Sequence, residues 1–385
     1  MELSKCAAWP RSSPKDGCTV TLYLGAQVKN DVIDPIPPAT TRSPLVTAVV
    51  ATYNEEAHVR LCLEGLLNQR DVGGDVEILV VDGGSSDATV DIVKSLPEYG
   101  SRIRLIPNPR RFQVYAWNIG IREARGRFVA LFSAHTEYSP DYLARCLEVR
   151  ERTGAAHVGG VQVPVGDGPI GNVIAWAMQS PFGIGDARFR YAREEQFADV
   201  AWGLFCEKTI LEAIGGFDES IPFNEDSELF YRLRRAGYTI FMSPSIKVTY
   251  HTRSSLPRLA QQMFRYGFWR RKTQMIHPRY VPLRVYVPPM LVLGLVLSVL
   301  GYAAARTPFA AIVPAAYVLF LATAAIVASL KRRNIWTFFI TPIVLAVMHI
   351  SYGVGWLIGF FVHAFRPHVR RSMLPAHSKT DANIS

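Results

Sequence analysis

Cysteine is scarce in this chain: five thiols (Cys6, Cys18, Cys62, Cys146 and Cys206) are spread over 385 residues, none in C-x-x-C spacing. That rules out a dense disulfide framework and fits reduced thiols in a cytosolic compartment. No G-x-x-x-x-G-K-[ST] loop occurs, which argues against a nucleotide triphosphatase. The N-terminus lacks the continuous apolar stretch of a signal peptide, so residues 1–43 read as a variable arm. Acidic residues are the minority, 32 against 42 basic, giving a net charge of +10. Much of the excess sits in Arg258, Arg265, Arg270, Arg271, Lys272, Arg279 and Arg284, directly before the first long apolar run. Basic residues that end at a hydrophobic wall point to anionic lipid headgroups rather than nucleic acid.

Before that wall, short apolar runs recur at 45–51, 76–81, 103–106 and 128–132, with helix-like stretches between them at 55–68, 88–96 and 114–124. Strand–helix alternation of this kind implies right-handed βαβ units and a parallel sheet. Ligands bind outside the carboxyl ends of such strands. Three polar groups stand at those ends: Tyr53-Asn54-Glu55-Glu56, Asp82-Gly83-Gly84 and Ser133-Ala134-His135. Further on, 159–165 and 241–242 read as strands and 227–236 as an amphipathic helix ended by Gly237.

After residue 286 the composition changes. Apolar segments at 287–305, 309–330 and 338–365 are each long enough to cross a hydrocarbon core of about 30 Å. Arg284 before the first and Lys331-Arg332-Arg333 after the second place those ends on the cytosolic side. The third segment conflicts with this, because a third crossing carries Arg366, Arg370 and Arg371 outside. Gly353, Gly355 and Gly359 offer the alternative of a segment that bends back as a re-entrant element.

Two carboxylate clusters carry the chemistry. In Val81-Asp82-Gly83-Gly84-Ser85-Ser86-Asp87 a strand ends in a carboxylate followed by small residues, so a ligand can approach the backbone. A carboxylate there can accept the imide proton of uracil or a ribose hydroxyl; the plain alternative is a capping turn. Asn54 has the same ambiguity. Asn224-Glu225-Asp226 follows the turn Gly215-Gly216-Phe217-Asp218-Glu219. It reads either as a base with an acidic neighbour or as a solvated helix start, where acids suit the dipole.

Thr52-Tyr53-Asn54-Glu55-Glu56, the Asp82 turn, Asn118-Ile119-Gly120 ahead of Ala124-Arg125-Gly126-Arg127, and Asn224-Glu225-Asp226 together resemble the signatures of family 2 glycosyltransferases. The membrane-anchored branch that builds bacterial exopolysaccharides, of the succinoglycan type, is the nearest likeness, over roughly residues 44–275. The resemblance implies a GT-A-like α/β fold, a mixed sheet with flanking helices, over 44–255. An amphipathic interfacial segment follows at 256–285, then C-terminal transmembrane helices over 286–366 and a polar tail at 367–385. It further implies an inner-membrane enzyme with its catalytic domain in the cytoplasm, moving a hexose from a UDP-sugar to a polyprenyl-diphosphate-linked glycan with inversion. Transfer directly to polyprenyl phosphate and a non-catalytic scaffold are the alternatives.

By the same likeness Thr52, Asn54, Glu55, Glu56, Asp82, Gly83, Asn118 and Ser133 line the donor nucleotide. Asp226 is the base, aided by Glu225. The family carries Asp-x-Asp after the fourth strand to hold a divalent cation, Mg²⁺ or Mn²⁺; here the position reads Ser133-Ala134-His135. His135, Glu137 and His251 are the candidate replacement ligands, and imidazole suits Mn²⁺ better than Mg²⁺. His135 as a polar loop residue and His251 as a packed one are the alternatives. Gln262-Met263-Phe264-Arg265-Tyr266 looks like a variant of the Gln-x-x-Arg-Trp motif, with Arg265 set to grip the diphosphate. It equally reads as a basic amphipathic helix lying on the membrane. Trp202 reads as a wall of the acceptor cleft or as core.

Overall fold

The structure is a computed structural model that describes residues 43–136, 138–185, 187–279 and 282–365. The expected arm, apart from its last residue, the polar tail, Glu137, Arg366, Arg370 and Arg371 lie outside the described residues.

Four apolar runs form the parallel strands β1 (Val46–Thr52), β2 (Val76–Asp82), β3 (Ile103–Pro107) and β4 (Phe128–Ser133). The connecting helices are α1 (Val59–Leu67), α2 (Thr89–Lys94) and α3 (Gln113–Glu123). Helix α1 lays Cys62, Leu63 and Leu66 on the sheet and leaves Leu61 exposed. Each fully buried leucine stabilises by roughly 1.5–3 kcal/mol. Helix α4 (Tyr142–Thr153) leads into β5 (His157–Val165), followed by α5 (Gly168–Ala177), α6 (Pro181–Ile184), the short β6 (Gln196–Phe197) and β7 (Trp202–Glu207). Helices α7 (Lys208–Ala213) and α8 (Glu225–Arg235) precede β8 (Ile240–His251).

The eight strands form one sheet in the order β3-β2-β1-β4-β7-β5-β8-β6. The chain winds outward from β1 to β3, then returns to place β4 on the other side of β1, so the topological switch lies between β1 and β4. Strand β7 is antiparallel to both β4 and β5, and β8 runs parallel to β5. The carboxyl ends of β1–β5 and β8 therefore share one edge with the start of β7.

Strand β8 runs nine residues beyond the apolar pair that marks it in the sequence. From Ser245 on its side chains alternate between more exposed and more buried, which hides it from an apolar-run search. A bulge in the β5–β8 pairing falls at Gly160, where a Cβ would lie 1.8 Å from the Ile246 carbonyl oxygen.

Four long helices complete the described chain: α9 (Leu256–Ile276), α10 (Val287–Ala305), α11 (Ile312–Arg332) and α12 (Ile335–Phe365). The last three are long and apolar enough to cross a membrane. The re-entrant bend is not observed, because α12 is one continuous helix. Its glycines serve close packing instead. A Cβ on Gly355 would lie 2.2 Å from the Phe264 carbonyl oxygen of α9, and one on Gly353 would lie 2.5 Å from that of Pro288 in α10.

Candidate active site

The edge begins at β1. Asn54 adopts φ +56°, a left-handed conformation that Asn tolerates better than most residues. Its amide donates to Ser85 Oγ at 2.9 Å, and its side-chain oxygen accepts from the Ser86 amide at 2.8 Å. Asn54 thus stitches the end of β1 to the turn after β2. Asp82 is buried and accepts from Thr52 Oγ1 (3.1 Å), the Gly84 and Ser85 amides (2.9 Å each) and Ser85 Oγ (2.5 Å). Glu56 and Asp87 exchange caps: the Glu56 carboxylate accepts from the Ala88 amide, and Asp87 accepts from the amides of Glu56 and Thr89. The carboxylates of this rim fix the shape of a backbone cradle. Gly83 lines it where a Cβ would meet Tyr53 and the Arg111 backbone at 3.2–3.3 Å.

Arg111 was not visible as a site residue in the sequence. It sits at φ +65° with its guanidinium 5.5 Å from the centre of the Tyr53 ring. A second left-handed residue beside the cradle is a local signature of a functional loop.

Across the switch point, Glu55 Oε1 lies 3.0 Å from His135 Nδ1, joining the ends of β1 and β4. The Glu55 amide is held by Thr89 Oγ1. Ser133 closes β4, its amide donating to the Tyr138 hydroxyl, and Tyr138 packs on Trp202 with ring centres 6.3 Å apart. Trp202, the first residue of β7, thereby stands on the same edge. Tyr138 also bridges to Val248, three residues before His251. His251 ends β8 and is exposed. Among the described residues no three His, Cys, Asp or Glu side chains cluster closely enough to hold a metal by themselves.

Asn118 lies on α3. Its amide group clamps the turn before α8, donating to the Phe217 carbonyl (2.9 Å) and accepting from the Phe217 amide (2.8 Å). It also donates to Glu219, which pairs with Arg110.

Helix α8 lies across the sheet with Phe230 stacked on His157 and its C-terminus feeding β8. Its N-terminus therefore points to the site edge. Asn224, left-handed at φ +60°, turns the chain into it. Glu225 is half-buried, and burial, assisted by the charge of Asp226, pushes its carboxyl up to about 8. Asp226 is exposed, and its Oδ1 accepts from the Ser227 amide at 2.6 Å.

Helix α9 holds this turn. Asn224 Nδ2 donates to the Tyr266 carbonyl (3.2 Å), and Arg270 donates to Asn224 Oδ1 and Ser227 Oγ (3.3 Å each). The Arg265 guanidinium lies 5.6 Å from the Phe223 ring centre, one residue before the turn. Gln262 donates to the hydroxyls of Tyr250 (2.9 Å) and Tyr266 (3.2 Å), tying α9 to the end of β8. In the sequence Arg270 is only one of many basic residues; its partners are set by the fold.

Residues 47–213 match the model of glycosyl transferase family 2. The chain is 31% identical over 230 residues (58% of this chain, 71% of the relative) to a dolichyl N-acetyl-α-D-glucosaminyl phosphate 3-β-D-2,3-diacetamido-2,3-dideoxy-β-D-glucuronosyltransferase of Methanococcus voltae. It is 32% identical over 257 residues (65% of this chain, 75% of the relative) to the succinoglycan biosynthesis protein ExoA of Rhizobium meliloti. A mannosyltransferase from Pyrobaculum calidifontis, solved with GDP-mannose and Mn²⁺, shares the fold at TM-score 0.56 and 20% identity, over 84% of this chain and 90% of that one. With its mixed eight-stranded GT-A sheet, the chain belongs to glycosyl transferase family 2, in the branch of the exopolysaccharide enzymes.

Proposed function

We propose that the chain moves a hexose from a UDP-sugar to a polyprenyl-diphosphate-linked glycan, with inversion, on the cytoplasmic face of the inner membrane. The observation that carries this reading is the Asn224-Glu225-Asp226 turn, pinned to the basic, aromatic helix α9 through Tyr266 and Arg270. A proton acceptor held by a helix suited to a lipid surface belongs in an enzyme whose acceptor is a lipid. Asp226 takes the proton of the acceptor hydroxyl as that oxygen attacks the anomeric carbon. The C–O bond to the diphosphate breaks on the opposite face, and the configuration inverts. A positioned base of this kind contributes about 10²–10⁴-fold. Glu225, neutral over most of the working pH range, orients the acceptor hydroxyl without adding a second negative charge beside the base.

The cradle of Tyr53, Asn54, Asp82 and Gly83 receives the nucleoside, and Trp202 offers a flat wall to the acceptor sugar. A divalent cation fits the Glu55–His135 pair in donor chemistry. Such ions are held by one or two protein ligands plus substrate phosphates, and a mixed oxygen–nitrogen pair favours Mn²⁺. When bound, the ion neutralises charge on the leaving diphosphate. Arg265 serves the same end from α9.

The printed acceptor of the Methanococcus voltae relative is a sugar on dolichyl phosphate, so the test includes lipid monophosphate-linked sugars. Membranes containing the protein are incubated with UDP-sugars and lipid-linked acceptors in EDTA, Mg²⁺ or Mn²⁺. Transfer to the lipid-linked sugar, restored by metal after EDTA, is the expected result. Transfer to bare polyprenyl phosphate would select the alternative acceptor. UDP binding without any transfer would leave only a scaffold.

A further inference from the structure

Helix α12 passes every length and composition test for a membrane span, yet its contacts do not suit one. At its N-terminal end, Trp336, Thr337 and Ile340 face Asn172 and Val173 of α5 across a cavity of about 390 Å³, beside Arg332 at the end of α11, which donates to the Asn172 carbonyl at 3.2 Å. At mid-length, His349 Nε2 lies 2.9 Å from the Phe182 carbonyl oxygen of α6. Along its C-terminal half, Gly355 meets Phe264 and Gly359 meets Phe268 of α9, while the His363 ring lies 4.6 Å from that of Phe268. Besides its packing on α10 and α11, where His349 Nδ1 lies 3.1 Å from the Tyr317 hydroxyl, α12 thus touches the catalytic side near both ends and at mid-length.

We propose that α12 lies in the plane of the membrane interface, as the platform that seats the catalytic domain, and that α10 and α11 are the crossing pair. At 31 residues, α12 is roughly 46 Å long, whereas the hydrocarbon core is about 30 Å thick. If it crossed, one of its ends would stand on the far side, and α5 or α9 would have to follow it through the core. Helix α9 carries Arg258, Arg265, Arg270, Arg271 and Lys272, a load no lipid-exposed helix takes into hydrocarbon.

The occupant of the opposite face of α12 is the lipid surface. Phe339, Ile343 and Phe361 recur there at helical spacing and are each more than half exposed. Lys331-Arg332-Arg333 before its N-terminal end complement anionic headgroups. The geometry also bears on a conflict in the sequence: with two crossings, both ends of α12 fall on the same side as Arg284 and Lys331, as positive charges near a membrane prefer. The consequence for the enzyme is a fixed height. Because α12 seats α9, and α9 holds the Asn224–Asp226 turn, the base sits close above the headgroups. The acceptor class is therefore a short lipid-linked glycan rather than a long chain in solution.

This inference rests on the chain being membrane-bound, which partition into the membrane fraction tests separately. With Cys6 and Cys18 replaced by serine, and Cys62, Cys146 and Cys206 buried, Ile343→Cys and Phe361→Cys are spin-labelled one at a time in lipid bilayers. Depth is read from the ratio of oxygen to nickel-chelate accessibility. An in-plane helix puts the two labels at the same shallow depth. A crossing helix separates them by up to roughly 27 Å, since they are 18 residues apart at 1.5 Å each, and that result overturns the proposal. A second measurement uses intact cells and an impermeant maleimide. Thr307→Cys is expected to be labelled, and a cysteine appended after Ser385 is expected to be protected; labelling of the appended cysteine overturns the proposal as well.

Discussion

The two acidic regions of the site use the same residue types in opposite ways. At the ends of β1 and β2, Asp82, Asp87 and Glu56 are engaged by amides and hydroxyls of their own turns. Their charge is consumed in holding backbone. At the start of α8, Glu225 is displaced far upward by burial and by its acidic neighbour, and Asp226 stays exposed with a single amide partner. A carboxylate whose lone pairs are taken shapes a cradle. One left at a surface keeps its lone pairs open to a substrate hydroxyl.

Several substitutions sharpen that contrast. Asp82→Ala should have the largest structural effect, because the Gly84 and Ser85 amides lose their acceptor at once. Both donors are part-buried, so each costs less than the roughly 1–3 kcal/mol of a fully buried orphan, and both the urea midpoint and UDP affinity should fall. Unchanged UDP affinity would remove Asp82 from the cradle. Asn54→Ala should cost about 1–3 kcal/mol, since alanine tolerates the left-handed region poorly and breaks the tie to Ser86. This is read as a lower thermal midpoint with a parallel rise in KM for the donor.

Glu225→Gln tests the other region through pH. The folded carboxyl titrates near 8 against an ordinary value of 4.5, so its protonated form is the one the fold favours. The stability it contributes is fully present below about pH 4.5 and is lost as pH rises through about 8. Denaturation midpoints of the wild type should therefore decline across that window relative to Glu225→Gln, and parallel profiles would contradict the assignment. Because Glu225 and Asp226 interact, the observed titration belongs to the pair. The smallest effect is expected from His135→Ala. Loss of a metal-site contact typically costs about 10–100-fold in metal affinity, so Mn²⁺ activation should shift to higher concentration while UDP affinity without metal stays unchanged.

How much of this was legible in the sequence differs between the same regions. Strands β1–β4 could be read because each is an apolar run ended by polar residues, and Asp82 could be placed at a strand end for that reason. Strand β7 was missed because it is six residues long and enters the sheet antiparallel, between β4 and β5. The work of Asn118 was also hidden, since its partner Phe217 lies 99 residues away. Asn224-Glu225-Asp226 was legible as a motif, but its attachment to Tyr266 and Arg270 was not. The α12 glycines suggested a bend because composition shows small residues without showing the helix that packs on them.

The central claim is that Asp226 is the base and the β1–β2 rim is only the cradle. It is tested most directly by Asp226→Asn in membranes, measuring sugar transfer to a lipid-linked acceptor and UDP affinity on the same preparation. The account predicts transfer reduced by about 10²–10⁴-fold with UDP affinity unchanged. Transfer at the wild-type rate would contradict it.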